Sequence, residues 1–174
     1  MLRHTSFAPI WDENCHILIL GSLPGAKSLA AGQYYAHPQN QFWRLLDHVL
    51  RLQLSPSNYI NRLAILLENG VALWDVIESA QRHSSLDSDI KAVAPQDLRT
   101  ILPALPALRA IAFNGKKASA LGRRILHARG DWLQDGGSYP IRLLDLPSSS
   151  AANTQRFDDK AAAWSALAPY ARPA

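Results

Sequence analysis

Apolar positions along the chain change between short continuous runs and runs with a helical repeat. Residues 16–20 ("HILIL") form a branched apolar run that ends at Gly21, which is typical of a strand covered on both faces. From Asn40 onward, apolar side chains recur at the i, i+3, i+4, i+7 and i+8 spacing of one helix face. The residues on this face are Phe42, Leu45, Leu46, Val49 and Leu50.

The same change of pattern repeats along the rest of the chain. The predicted strands are residues 71–77, 108–115 and 140–150. The predicted helices are residues 55–70, 95–105, 116–128 and a last helix capped by Asn153. Residues 78–90 are polar and are interpreted as a loop, and no hairpin pattern stands out. Strands that alternate with helices predict an α/β fold, a three-layer α/β/α sandwich with a mainly parallel four-stranded sheet, in one domain over residues 1–174.

Polar clusters follow three of the four predicted strands. The segments "GSLPG" and "YYAHPQN" follow the first strand, "NGKK" follows the third and "LPSSSAAN" follows the fourth. In open α/β sheets, ligands bind outside the carboxyl ends of the strands. The sequence therefore predicts a functional site where these segments converge.

Several of these segments have both a functional and a structural interpretation. The GSLPG turn offers backbone N–H groups to an anion or a polarised oxygen, or it is a strand-to-helix turn that needs its glycines. Asn40 and Asn114 can contact a nucleobase edge or a water molecule, or they are a helix cap and an Asn-Gly turn. Tyr34 and Tyr35 can stack on a planar ligand, or they pack in the core.

Other side chains near the predicted site are equally open to two interpretations. Phe42 lies on the apolar helix face and is core or a pocket wall, and Trp43 is assigned to packing. His37 precedes a proline and is expected to be extended; it can contact phosphate, act as a general acid or base, or be an ordinary loop residue. Asp75 can orient water or cap a helix. The chain carries no phosphate-binding Gly-Lys-Ser/Thr loop, no Gly-x-Ser-x-Gly elbow and no metal-ligand spacing, so neither a metal nor a cofactor is expected.

Composition restricts the cellular compartment and the classes of binding partner that are expected for this chain. The 174 residues contain one cysteine, Cys15, which excludes an intrachain disulfide framework and a four-cysteine metal site and indicates a reducing compartment. The first residues lack a signal-peptide pattern, and no apolar run is long enough for a membrane span. We therefore expect a cytoplasmic protein with no membrane partner and no obligate protein partner. A net charge of +4 is compatible with nucleic acid without requiring it.

The polar segments together resemble the uracil-DNA glycosylase superfamily, and are most similar to its hypoxanthine-DNA glycosylase branch. The likeness runs through "LGSLPGAKS", "GQYYAHPQNQFWRLL", "GVALWDVI", "IAFNGKKA" and "LPSSSAAN" and covers roughly residues 14–165. The stretch "YYAHPQNQFW" is its most specific part. The resemblance implies a monofunctional enzyme that removes a deaminated base, hypoxanthine or else uracil or xanthine, after the base has flipped out of DNA.

The resemblance also implies roles for individual residues. Asn40 matches the main catalytic amide of the hypoxanthine branch, and Asn114 matches an asparagine of the base pocket. The predicted pocket is completed by Ser22, Leu23, Pro24, Tyr34, Tyr35 and Phe42. The predicted DNA contacts are His37, Lys116, Ser148, Ser149 and Ser150.

Two departures from the superfamily pattern separate this chain from the fastest uracil enzymes. Leu146 stands where those enzymes begin their second motif with histidine, and Ser22 and Leu23 stand where they carry an aspartate. Loss of that carboxylate leaves open a non-catalytic nucleic-acid-binding module on the same fold. A hydrolase of free nucleosides or nucleotides is the other competing function.

Overall fold

The computed structural model describes residues 3–81, 90–127 and 141–171. The strands are β1 (Arg3–Thr5), β2 (Ile17–Gly21), β3 (Val71–Asp75), β4 (Ile77–Gln81), β5 (Lys91–Pro95), β6 (Ala110–Asn114) and β7 (Arg142–Leu146). The α-helices are α1 (Ala26–Ala31), α2 (Phe42–Leu50), α3 (Tyr59–Glu68), α4 (Lys116–His127) and α5 (Phe157–Trp164). In the part of the chain so described, no helix has the length and apolar character needed to cross a membrane.

A four-stranded parallel sheet forms the centre of the molecule, as the alternating pattern predicted. Its strand order is β3-β2-β6-β7, and every neighbouring pair is parallel. Every residue of β2, β3 and β6 is buried, which explains why these strands are continuous apolar runs rather than alternating ones. The four carboxyl ends therefore lie along one edge of the sheet.

Two apolar clusters cover the two faces of this sheet. Ile17 and Ile19 of β2 pack in the cluster that contains the buried faces of α2 and α5, including Trp164. Leu18 and Leu20 point the other way, into the cluster that contains the apolar face of α4. The predicted three-layer α/β/α arrangement is confirmed, and adjacent residues of one strand supply its two cores.

A second, antiparallel sheet was not predicted. Its order is β1-β4-β5, with both pairs antiparallel. Residues 78–81 of the segment interpreted as a loop therefore belong to strand β4. Residues 82–89 of that segment lie outside the described residues. The predicted strand 71–77 divides at Val76 into β3 and β4, which belong to different sheets. The hairpin pattern was missed because β4 ("IESAQ") contains polar residues and its pairing with β5 is irregular.

Two further helix predictions are wrong in detail. Residues 95–105 form two short 3₁₀ turns, Leu98–Thr100 and Leu102–Ala104, instead of an α-helix. Pro103 explains this, because proline has no N–H to donate and disfavours the α conformation of the residue before it. Asn153 does not cap the last helix, whose N-cap is Arg156.

Candidate active site

A cleft of ≈ 1190 Å³ opens at the carboxyl edge of the parallel sheet. The segments after β2, β6 and β7 border it, together with Asp75 at the end of β3. The predicted site residues that line this cleft are Ser22, Leu23, Pro24, Tyr34, Tyr35, His37, Asn40, Asn114, Lys116, Ser148, Ser149 and Ser150. Phe42 is the exception, since it does not border the cleft.

The back of the cleft is formed where β2 and β3 end side by side. Gly21 pairs with Asp75 in the parallel register, and a Cβ atom on Gly21 would lie 2.5 Å from Oδ1 of Asp75. Only glycine leaves room for this approach. Asp75 is 3 % exposed, and its Oδ2 accepts a 2.6 Å hydrogen bond from the Ser6 hydroxyl. The chain thus places a carboxylate in the cleft on β3, although the GSLPG turn contains none.

Tyr35 forms an aromatic wall of the cleft. Its backbone is left-handed, with a φ of 54°, a conformation that costs free energy for a residue other than glycine and is enriched at functional sites. One face of its ring stacks on Phe42, with the ring centroids 3.7 Å apart and the planes 10° from parallel. Phe42 is fully buried, so it supports the wall from behind instead of forming its surface.

Tyr34 is anchored more deeply than Tyr35. It is 3 % exposed, and its hydroxyl donates a 3.1 Å hydrogen bond to the carbonyl of Ala8. Burial, followed by the negative charge of Asp75, raises the pKa of Tyr34 far above its usual range. The phenol therefore stays neutral and serves chiefly to pack the base of the cleft.

Asn40 lies in the loop just before α2, with its side-chain oxygen fixed by the backbone. Its Oδ1 accepts a 3.0 Å hydrogen bond from the N–H of Phe42. Because a backbone N–H can only donate, this contact identifies which end of the amide is oxygen. The Nδ2 group has no hydrogen-bond partner among the described residues. Asn40 thus keeps two N–H donors and one oxygen lone pair for a ligand in the cleft.

Asn114 ends β6 and is joined to the serine turn after β7. Its Oδ1 accepts a 2.9 Å hydrogen bond from the Ser149 N–H, and its Nδ2 donates a 2.9 Å hydrogen bond to the Ser149 hydroxyl oxygen. An amide group has two donors and two acceptor sites. Asn114, at 7 % exposure, therefore keeps one donor and one acceptor in addition to its structural role.

Ser149 connects two of the segments that border the cleft. It is 1 % exposed, and its carbonyl accepts a 2.9 Å hydrogen bond from the Gln41 N–H. Its contacts are thus with Asn114 and the loop before α2. Ser148 and Ser150 are half-buried, and the Ser148 hydroxyl accepts a hydrogen bond from the Ser150 N–H. These two serines, rather than Ser149, present surface to the cleft.

His37 and Lys116 border the cleft from two different segments. Nδ1 of His37 accepts a 3.1 Å hydrogen bond from the Gln39 N–H, so in the neutral ring the proton lies on Nε2, which can donate to an anion. Lys116 is exposed at the first position of α4. A helix N-terminus adds partial positive charge to that of the lysine.

Sequence reasoning missed several polar residues that the fold brings to this edge. Lys27, Gln39 and Lys117 also border the cleft, and Asp75 was considered without being assigned. A position at the carboxyl end of a buried strand was the available signal for Asp75. Among the described residues, no group of three or more His, Cys, Asp or Glu side chains could hold a metal ion.

Comparisons with known proteins agree with this arrangement. Residues 9–168 match the family model described as the uracil DNA glycosylase superfamily. The chain belongs to this superfamily. The sequence resemblance is therefore confirmed across almost the whole described structure.

Individual relatives within the superfamily cover nearly the same length. Two proteins named hypoxanthine DNA glycosylase are each 37% identical to the chain: that of Methanosarcina barkeri over 94% of the chain and 96% of the relative, and that of Methanosarcina acetivorans over 92% and 95%. The solution NMR structure of a proposed uracil DNA glycosylase from Methanosarcina acetivorans superposes with a TM-score of 0.79 at 36% identity, covering 95% of this chain and 96% of that one.

Proposed function

We propose that this chain is a monofunctional DNA glycosylase that hydrolyses the N-glycosidic bond of a deaminated base flipped out of DNA. The preferred base is hypoxanthine, the substrate in the names of the two Methanosarcina relatives. The observation that carries the proposal is the convergence of Asn40, Asn114 and the GSLPG turn in one cleft at the carboxyl edge of the sheet.

Breaking an N-glycosidic bond separates charge. The sugar gains oxocarbenium character and the leaving base gains negative charge. An active site must therefore stabilise an anion on one side of the bond and a cation on the other, and must hold one water molecule. Asn40 offers N–H donors and a lone pair, Asn114 offers a donor and an acceptor, and the buried Asp75 offers a carboxyl group.

Asn40 is the residue assigned to the water. The free lone pair on its Oδ1 can accept a hydrogen bond from a water molecule, while its two N–H groups can hold the oxygen of the sugar or base. A neutral amide is a weak base, so Asn40 orients the nucleophile without deprotonating it in the ground state. As the bond between sugar and base breaks, the water oxygen bonds to the sugar carbon, and the proton released from the water neutralises the departing base.

Asn114 and the backbone of Ser22, Leu23 and Pro24 are assigned to the base. The remaining N–H of Asn114 can donate to an oxygen of the base as it becomes negative, as an oxyanion hole does. Tyr35 can stack on the base with the ring face that Phe42 leaves uncovered. Flipping costs a few kcal/mol and costs least for a mispaired base, which favours deaminated bases.

The proposal is tested by strand scission on end-labelled duplexes that carry a single inosine, uracil or xanthine. After incubation with the protein, abasic sites are cleaved with alkali and the fragments are resolved. We expect scission at inosine above the level seen with an undamaged duplex. No scission at any of the three bases would disprove the glycosylase function, and turnover of free deoxyinosine without scission would favour a nucleoside hydrolase.

A further inference from the structure

Lys160 is a buried cation that the proposed mechanism does not use. It lies in α5 and is 1% exposed. Among the described residues, no carboxylate forms an ion pair with it. Burying a charged ammonium without an anion is costly, and burial lowers the pKa of Lys160. Such a cation calls for a negative charge that the described part of the chain does not supply.

The position of Lys160 ties together the two segments that carry the site. Its Nζ donates a 2.9 Å hydrogen bond to Oε1 of Gln41, next to Asn40, and a 2.8 Å hydrogen bond to the carbonyl of Asn153, in the loop after β7. An ammonium group has three donors. These two acceptors leave one N–H of Lys160 with no partner in the described structure.

A second cavity lies beside the cleft and is bordered by Lys160. Its volume is ≈ 540 Å³, and Asn40, Asn153 and Gln155 border both this cavity and the cleft. Arg44 also lines it, held with its guanidinium carbon 4.7 Å from the centre of the Phe157 ring. The lining contains two cations and no carboxylate, which is the composition of an anion site.

We propose that this second cavity binds a phosphodiester group of the DNA strand next to the flipped nucleotide, with Lys160 and Arg44 as its cations. The proposal rests on the glycosylase function, because a strand whose nucleotide occupies the cleft continues past the residues that the two cavities share. The phosphate supplies the third acceptor for Lys160 and the missing negative charge. Lys160 also holds Gln41 and Asn153 in place, so it is a positioning residue for Asn40 and the serine turn.

The test measures binding to a duplex that carries an uncleavable abasic analogue, in which successive backbone phosphates near the lesion are replaced one at a time by neutral methylphosphonates. We expect one or two replacements to weaken wild-type binding about tenfold, as loss of a charge-assisted contact does. With Lys160→Met, the same replacements should have no further effect. The slope of log Kd against log salt should also become shallower by about 0.9, the value for one duplex phosphate.

Matched variants distinguish a phosphate contact at this cavity from the general effect of removing a positive charge. Arg44→Met removes the exposed cation of the same cavity and should reduce the effect of the same methylphosphonates. Arg124→Met removes an exposed cation eight positions, roughly 12 Å, after the start of α4. Arg124 borders neither the cleft nor the second cavity, so this change should leave the pattern unchanged. Lys160→Arg keeps the charge and should keep part of the effect.

Full methylphosphonate sensitivity at every position in a folded Lys160→Met protein would overturn the inference. If that variant does not fold, as judged by circular dichroism, full sensitivity in Arg44→Met overturns it instead. The inference would also be overturned if inorganic phosphate stabilised the wild-type protein but not Lys160→Met, while no methylphosphonate position on the DNA depended on Lys160. That result would assign the cavity to a free anion. Base release from the inosine duplex is measured separately, so failure of the glycosylase function is distinguishable.

Discussion

At the scale of single residues, the two amides of the cleft are oriented by backbone donors. Phe42 N–H fixes the oxygen of Asn40, and Ser149 N–H fixes the oxygen of Asn114. Each amide therefore presents a defined set of donors and acceptors before any substrate enters. Such preorganisation is what electrostatic stabilisation of a transition state requires.

Replacing Asn40 by alanine should remove most of the activity and should lower the stability by only about 1 kcal/mol, through loss of the hydrogen bond from the Phe42 N–H. The lost amide supplied donors to the reacting groups, and removal of one such donor costs about 10²–10³-fold in rate. The measurement is single-turnover base release from inosine-containing DNA, with the thermal midpoint as a check of folding. Asn61→Ala, an exposed asparagine on α3, is the control and should keep wild-type rates. Full activity in Asn40→Ala would disprove the assignment.

An Asn114→Asp variant should distinguish the effect of a negative charge at this position from the effect of losing the hydrogen bonds with Ser149. The carboxylate can still accept the hydrogen bond from the Ser149 N–H and can receive one from the Ser149 hydroxyl, so we expect the fold to persist. At neutral pH, a negative charge would face the leaving base, which also becomes negative, and base release should fall about 100-fold or more. Acidification toward the raised pKa of a buried carboxyl should restore part of the rate; a pH-independent defect would contradict the charge argument.

At the scale of the elements, the helices are seated on the sheet by close contacts at particular positions. Gly122 of α4 is the clearest case. A Cβ atom there would lie 2.3 Å from Cε1 of Phe113 on β6 and 3.1 Å from Cγ1 of Val76. Phe113 is fully buried, so its ring can move away only by displacing other side chains of the core. The glycine therefore sets how near α4 approaches the strand that ends in Asn114.

Gly122→Ala should destabilise the protein although alanine is the better helix former. The gain in helix propensity is about 1 kcal/mol, whereas overpacking a core typically costs about 1–3 kcal/mol. We expect a net loss in free energy of unfolding by urea titration, together with slower base release as β6 shifts. Arg124→Ala, an exposed change in the same helix, should stay within about 0.5 kcal/mol of wild type. A more stable Gly122→Ala protein would contradict the packing.

At the scale of the whole molecule, five cations of the described part of the chain lie around the cleft and the cavity beside it, although the carboxyl groups of Asp75 and Asp145 also line the cleft. Lys27, Lys116 and Lys117 line the cleft, and Arg44 and Lys160 line the cavity beside it. A net charge of only +4 thus suffices for contact with a few phosphates. Local concentration of charge at a concave surface has more influence on DNA binding than the total.

Binding to duplex DNA should weaken with salt in proportion to these few cations. Each neutralised phosphate contributes about 0.9 to the slope of log affinity against log salt, so five cations limit the slope to about −4.5. The measurement is fluorescence anisotropy with the abasic-analogue duplex at several concentrations of sodium chloride. A slope near zero would contradict a DNA-binding cleft and agree with a hydrolase of free nucleosides.

Much of this architecture was determined by the sequence alone. Buried parallel strands must be apolar on both faces, and the helices that cover them must be apolar on one face. Each pattern can be recognised within a short stretch of sequence, so β2, α2 and the parallel sheet could be predicted from these patterns. Because parallel strands share a carboxyl edge, the location of the site followed, and with it the place of Asn40 and Asn114. The antiparallel sheet was not predicted because β1 has only three residues and because β4 contains polar residues and pairs irregularly with β5.

Only the tertiary structure decided which partners these residues have. Asn114 forms a hydrogen bond with Ser149, which is 35 residues away in the sequence. Asp75 lies against Gly21 of the neighbouring strand. Lys160 donates a hydrogen bond to Gln41, which is 119 residues away in the sequence. The burial of Phe42 behind Tyr35 was likewise decided only by the tertiary structure. Contacts between distant segments leave no periodic signal in the chain, because they depend on how the layers pack and not on the spacing of residues within one element.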